Sequence, residues 1–168
     1  MNWRVHFTSF RQVYNAAIAG TFSNEAELRQ AFVEALKAEL EQHCRHHQYI
    51  AENMLAPALD EALKRGRPDI RVSNLVIEVE RPGAGLDIGR QQLTRYMSEL
   101  YEKVRGKVKV YGLVTDGVSA EIWVLDSNGE RQEKSGNLPD VASNLLSEFC
   151  SSKIPVTDPE DLIRLFGV

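Results

Sequence analysis

Apolar positions fall into separate blocks with different periods. Between residues 24 and 43, Leu28, Phe32, Leu36 and Leu40 return at every fourth position, and Asn24 with Glu27 has the spacing of a capping box. This pattern predicts an amphipathic helix. Ile88 to Val104 has the same period, with Leu93, Met97, Leu100 and Val104 as its apolar stripe. Between the two helices, Arg67–Val72 and Leu75–Glu80 alternate polar with apolar residues around Ser73 and Asn74, a hairpin pattern in which the asparagine supplies a residue tolerant of left-handed backbone. VKVYGLVT and SAEIWVLD read as two further strands around Asp116 and Gly117, and Pro139 to Phe149 as a closing helix. HCRHHQYIAENMLAPALDEALKRG fits neither period, and SNGERQEKSGN at 127–137 reads as a loose stretch. The order α, β, β, α, β, β, α predicts an α/β fold, a mixed β-sheet flanked by helices. It is expected as a single domain over 1–168, with a core at about 24–125 and a helical extension at about 138–168.

Composition changes this picture little. The 168 residues are 43% hydrophobic and 26% charged, near the globular average, so the chain is expected to fold unaided. No apolar run approaches the roughly 18 residues of a membrane span, and the first residues have no apolar leader. Cys44 and Cys150, the only cysteines, lack CxxC spacing, which suggests neither a disulfide framework nor a zinc ribbon. A cytoplasmic location without membrane contact is the expectation.

The net charge of −4 hides a split. Residues 1–110 hold 16 basic and 14 acidic side chains, and residues 111–168 hold 4 and 10. Ile88 to Val110 is the basic centre, where Arg90, Arg95, Lys103, Arg105, Lys107 and Lys109 outnumber Glu99 and Glu102. Local excess matters for a polyanion because charges farther than about 8 Å are screened at physiological salt.

The hairpin carries the candidate chemistry. A two-residue turn at Ser73 and Asn74 makes Val72 face Leu75, Ile70 face Ile77, and Asp69 face Glu78. Period two then puts Glu80 and Arg67 on the face of Asp69 and Glu78, and Pro68, Ile70, Val72, Leu75, Ile77 and Val79 on the other. One face is expected to be core and the other charged. Two carboxylates about 5 Å apart repel by roughly 3 kcal/mol at an effective dielectric near 20, so the acidic face requires compensation. A hard cation such as Mg²⁺ supplies it, as do Arg67 and Arg71 in an ordinary ion-paired surface.

GRPDIRVSNLVIEVERPG followed by QQLTRY resembles the PD-(D/E)XK nuclease superfamily, in the form found at the N-terminus of type I, type ISP and type IIG restriction enzymes. Pro68 and Asp69 match its PD element, Glu78 to Glu80 the following acidic element, Gln92 and Tyr96 the QxxxY element of RecB-type nucleases, and YGLVTDG the strand and turn that follow. The resemblance covers about residues 24–125. It implies a restriction-endonuclease-like core and a Mg²⁺-dependent DNA endonuclease of a restriction-modification system, with Mn²⁺ as a substitute ion. Asp69, Glu78 and Glu80 would be the catalytic residues, and Asp69, Glu78 and Glu25 would hold the metal. Gln92, Tyr96, Arg90 and Arg95 would contact DNA. Glu27 competes with Glu25 for the helical acid but is explained as the capping partner of Asn24. Motor, methyltransferase or specificity subunits are implied partners, and DPEDLIRLFGV is a place where one would attach.

The sequence departs from the family at residue 80, where the usual lysine is Glu80. Three outcomes follow: Glu80 is a metal ligand or general base, a basic residue such as Arg67 or Lys64 replaces the lysine, or cleavage is lost and the domain binds nucleic acid or a protein. Other signals are set aside. His43, Cys44 and His47 lack a second cluster to complete a zinc site. Gly83, Gly85 and Gly89 have GxGxxxG spacing, one residue too long for a dinucleotide site, and are expected to form a flexible loop.

Overall fold

The computed structural model describes residues 6–43 and 69–151. Helix α1 (Phe10–Ile18), absent from the expected order, starts where Ser9 accepts a hydrogen bond from the Gln12 N–H at 3.2 Å. Helix α2 spans Glu25–His43, and at its start Asn24 Oδ1 accepts from the Glu27 N–H while the Glu27 carboxylate reaches back to the Ser23 N–H. Glu27 is therefore engaged in the cap, as its spacing predicted. The hairpin follows as β1 (Ile70–Val72) and β2 (Leu75–Val79), then α3 (Asp87–Lys103), β3 (Val110–Thr115), β4 (Ser119–Asp126), β5 (Gly129–Asn137) and α4 (Leu138–Ser151).

The strands form a five-stranded mixed sheet in the order β1-β2-β3-β4-β5. Only β2 and β3 run parallel, because α3 carries the chain back across the sheet between them; the other pairs are antiparallel. The hairpin register is the predicted one: Val72 pairs with Leu75 and Ile70 with Ile77.

Helices cover both faces of the sheet. Leu28, Phe32, Leu36 and Leu40 of α2 pack with Phe10 and Val13 of α1, Val141, Leu145 and Phe149 of α4, and Ile70, Leu75, Ile77 and Val79 of the hairpin. Leu93, Met97, Leu100 and Val104 cover Val76, Val110 and Val114 on the other face. All four residues of each predicted helix stripe are buried. Gly112 lets α3 lie close, since a Cβ there would stand 2.3 Å from Met97 Sδ.

Several expectations are corrected. The face of β2 that includes Glu78 is not an open charged surface: α3 covers it, and every residue of β2 is buried. The stretch at 127–137 is strand β5 for almost its whole length, paired with β4 from Asp126 opposite Gly129 to Ser119 opposite Asn137. Its residues are mostly polar and exposed, as suits the last strand of a sheet, so no apolar alternation marked it. Ser73, not Asn74, takes the left-handed backbone (φ +55°), while Asn74 Nδ2 donates to the Lys109 carbonyl at 2.8 Å. Gly89 belongs to α3 rather than to a flexible loop. Cys150 is disulfide-bonded, contrary to the reading of the cysteine spacing, since CxxC spacing reports only on cysteines close together in sequence. The other cysteine, Cys44, lies outside the described residues, as do Lys64, Arg67, Pro68, His47 and DPEDLIRLFGV. Among the described residues no helix is long and apolar enough to cross a membrane.

Candidate functional site: an acidic cluster at the ends of the parallel strands

β2 and β3 end side by side, and the Glu80 N–H donates to the Thr115 carbonyl at 2.8 Å just beyond them. The β3–β4 turn is closed by Asp116, whose Oδ1 accepts from the Val118 and Ser119 N–H groups at 3.0 and 2.8 Å. Its Oδ2 accepts from the Gly85 N–H at 3.0 Å, and its carbonyl accepts from the Gly83 N–H at 3.1 Å. The loop between β2 and α3 is thus tied to the end of β3. The positive φ of Gly83 and Gly85, +68° and +87°, allows that path.

Asp69 and Glu78 meet beside this loop. The Asp69 N–H donates to Glu78 Oε1 at 3.2 Å, and Asp69 Oδ2 accepts from the Val79 N–H at 2.8 Å, so each carboxylate is fastened to the other residue's strand. Glu78 is only 3% exposed. Burial, followed by the adjacent Asp69 carboxylate, pushes its carboxyl up to about 9, and the hydrogen bond from the Asp69 backbone only partly opposes this. At neutral pH the protonated form of Glu78 is therefore favoured.

Glu25 and Glu80 complete the cluster. Glu25 lies in the first turn of α2, and its carboxyl is raised by burial and then by Asp69, with Arg29 pulling the other way. Glu80 is likewise raised by burial, then by Glu25 and Asp69. Its side chain lies against Gly89: a Cβ at that position would stand 2.6 Å from Glu80 Oε1 and 2.7 Å from Val114 Cγ2. Only glycine in the first turn of α3 leaves this room. The first turns of both helices thus border the cluster.

One arginine reaches into the group. Arg29 Nη1 stands 3.1 Å from Asp69 Oδ1 and 3.6 Å from Glu25 Oε1, with its side chain 14% exposed. Neither its spacing nor the resemblance singled it out as a cation of the site. The only sequence signal is that it follows Glu25 by four residues, one helical turn.

The donors suit a hard cation in a limited way. All are carboxylate oxygens, and the proton on the Asp69–Glu78 pair marks a place where positive charge is lacking. Among the described residues no three acidic, histidine or cysteine side chains converge closely enough to hold an ion alone. The protein offers a pair, Asp69 and Glu78, and an ion held there would take its other ligands from water and substrate, as Mg²⁺ ordinarily does.

The residues expected to contact DNA divide. Arg90 is engaged: Nε donates to Glu121 Oε1 at 2.7 Å, Nη2 to Glu121 Oε2, and Nη1 to Asp87 at 3.0 Å. The pairing raises the Arg90 pKa and lowers that of Glu121, whose Oε1 also accepts from Trp123 Nε1 at 3.0 Å. Arg90 fastens α3 to β4. Gln92 is exposed, and Tyr96 is half-buried with the Arg95 guanidinium 4.9 Å from its ring centre. Counting from Gly89, Gln92 and Tyr96 lie about 4.5 and 10 Å farther along the axis of α3, so the helix leads away from Glu80 with these side chains.

No protein-family profile, curated protein or solved structure matches this chain.

Proposed function

We propose that this is a nuclease-type domain with a restriction-endonuclease-like core, cleaving DNA phosphodiesters with Mg²⁺ held by Asp69 and Glu78. The observation that carries the reading is the contact between those two acids: residues nine positions apart share one hydrogen-bonded corner, and burial is tolerated there only by retaining a proton. Such an arrangement costs stability and is better suited to holding a cation than to holding the fold. Glu25 and Glu80 supply outer negative charge, and Asp116 fixes the loop that borders the cluster. When bound, the ion supplies Lewis-acid stabilisation of the phosphate and a more acidic water. Gln92 and Tyr96 extend from the cluster along α3 as the side of the site available to the polynucleotide, through hydrogen bonding and stacking. Target choice and any motor would come from partner subunits.

A second reading, a domain of the same architecture that binds nucleic acid without cutting it, is favoured by the anion at residue 80 and by the lack of a three-ligand group among the described residues. Plasmid nicking with Mg²⁺ or Mn²⁺ separates the two. Cleavage by the unaltered chain that disappears in Asp69→Asn supports the enzyme. Activity only in Glu80→Lys supports the binding module, and absence of both cleavage and DNA binding in every variant refutes both.

A further inference from the structure

The basic stretch between Ile88 and Val110 divides once the chain is folded. Arg90 is consumed by Glu121 and Asp87, and Arg95 lies over Tyr96. The other four cations, Lys103, Arg105, Lys107 and Lys109, gather where α3 hands the chain to β3. This is the far end of the parallel strands from the acids, since roughly 17 Å of strand separates Val110 from Thr115. The loop is held in one shape: the N–H groups of Val104, Arg105, Gly106 and Lys107 donate to the carbonyls of Leu100, Glu102, Tyr101 and Val104 at 3.0 to 3.1 Å. Val104 and Val108 are buried as its anchors, while Lys103, Arg105 and Lys107 are exposed. The hairpin turn braces it, with Asn74 Nδ2 on the Lys109 carbonyl at 2.8 Å and Arg71 Nε on the neighbouring Ser73 carbonyl at 3.4 Å. Arg105 holds φ at +55°, where glycine is the ordinary residue, so a guanidinium stands there against the preference of its own backbone. The helix dipole accounts for Lys103 in the last turn of α3 but not for three cations beyond it. The acids nearest in sequence are Glu99 and Glu102, and Glu133 approaches Lys109 at 3.9 Å, so positive charge remains in excess.

We propose that this loop is a docking surface for the phosphodiester backbone of a nucleic acid, which Lys103, Arg105, Lys107 and Lys109 contact without regard to base sequence. The surface is separate from the acidic cluster and does not depend on whether the cluster cuts. Ammonium groups meet phosphate as point charges and a guanidinium meets it as a fork, and such contacts release counterions from the polyanion. Tyr101 lies against Gly106, its hydroxyl 3.2 Å from where a Cβ would stand, and adds a donor of the kind that accompanies phosphate contacts. A lipid surface suits the loop less, because it has no large apolar side chain to insert: among the described residues the exposed ones are Ile18 and Ile88.

The test follows binding of a fluorescent DNA duplex by anisotropy in EDTA, so that cleavage plays no part, over a series of salt concentrations. In Lys103→Gln/Arg105→Gln/Lys107→Gln the slope of log affinity against log salt is expected to shrink by about 2 to 3, and affinity at low salt to fall about tenfold or more, equally for two unrelated sequences. Arg11→Gln/Lys37→Gln/Lys134→Gln removes the same charge from other elements and is expected to change the slope by less than about 1. An unchanged slope in the loop variant, or an equal loss in the control, overturns the proposal. So does a chain that ignores the duplex but binds vesicles of equal parts phosphatidylserine and phosphatidylcholine, or polyglutamate. Arg105→Gly separates binding from folding, because glycine suits the backbone there: its melting temperature is expected not to fall, while the salt slope shrinks by about 1. A slope equal to that of the unaltered chain counts against the proposal. Plasmid nicking tests the acidic cluster on its own, so the two readings fail separately.

Discussion

Glu78→Gln should make the protein more stable at alkaline pH, and the size of the effect follows from the corner where Glu78 lies. In the unfolded chain its carboxyl titrates near 4.5; in the fold, burial and Asp69 push it up to about 9. Below pH 4.5 both states hold the proton and the contribution of Glu78 is fully present. Between 4.5 and about 9 only the folded state holds it, so stability falls by about 1.4 kcal/mol per pH unit. Across the whole window the proton accounts for roughly 6 kcal/mol, and by pH 7 roughly 3 kcal/mol has been lost. A typical domain has a total stability of about 5 to 15 kcal/mol, so this loss is large.

Glutamine keeps the shape, retains an oxygen to accept from the Asp69 N–H and cannot ionise. Urea unfolding of both proteins, followed by fluorescence from pH 5 to 9 with a chelator present, reports the titration of residue 78 together with its coupling to Asp69 and Glu80. The stability difference should widen in favour of Glu78→Gln by about 1.4 kcal/mol for each pH unit. A difference that stays constant within about 0.5 kcal/mol from pH 5.5 to 8.5 would mean that Glu78 ionises at no cost, and the electrostatic account of the site would fail.

Gly89→Ala should destabilise the fold by about 1 to 3 kcal/mol although alanine favours helix by about 1, because its Cβ would stand 2.6 Å from Glu80 Oε1 and 2.7 Å from Val114 Cγ2. Adding Glu80→Ala should recover part of the loss in the same urea assay, and a neutral Gly89→Ala would refute the close packing. Arg90→Ala should cost about 1 to 3 kcal/mol because it leaves Glu121 in the sheet with only the Trp123 N–H, whereas Arg95→Ala should stay within about 0.5; thermal melts that rank the two equally would remove Arg90 from its structural role.

The elements legible in the sequence were those in which an apolar stripe and a local signal agreed. Leu28, Phe32, Leu36 and Leu40 behind the Asn24 cap, and Leu93, Met97, Leu100 and Val104 in α3, are all buried as their period required. The hairpin register was legible because alternation on both sides of a two-residue turn leaves no other pairing that keeps Ile70, Val72, Leu75 and Ile77 together. β5 was not, because a polar strand at the end of a sheet has no core face to mark it, and its pairing comes from backbone groups set in line by β4 and from Arg131 on Asp126. Exposure of Ile88, at 67%, shows the same limit from the other side: it sits in the apolar block of α3 but off the stripe that meets the sheet.

The site was legible in its acids and illegible in what makes them tolerable. Register alone placed Asp69 opposite Glu78, because backbone pairing dictates that neighbour whatever the side chains. Compensation comes largely from outside the hairpin, from Arg29 of α2 and the first turn of α3 opened by Gly89, and within it from the raised carboxyl of Glu78. None of these has a sequence signature, since an arginine one turn after a glutamate reads as an ordinary surface pair and a glycine after two others reads as loop. The Glu80 side chain lies against the first turn of α3, where Gly89 leaves room for its carboxylate, and that fit is set by how α3 meets the sheet rather than by spacing along the hairpin.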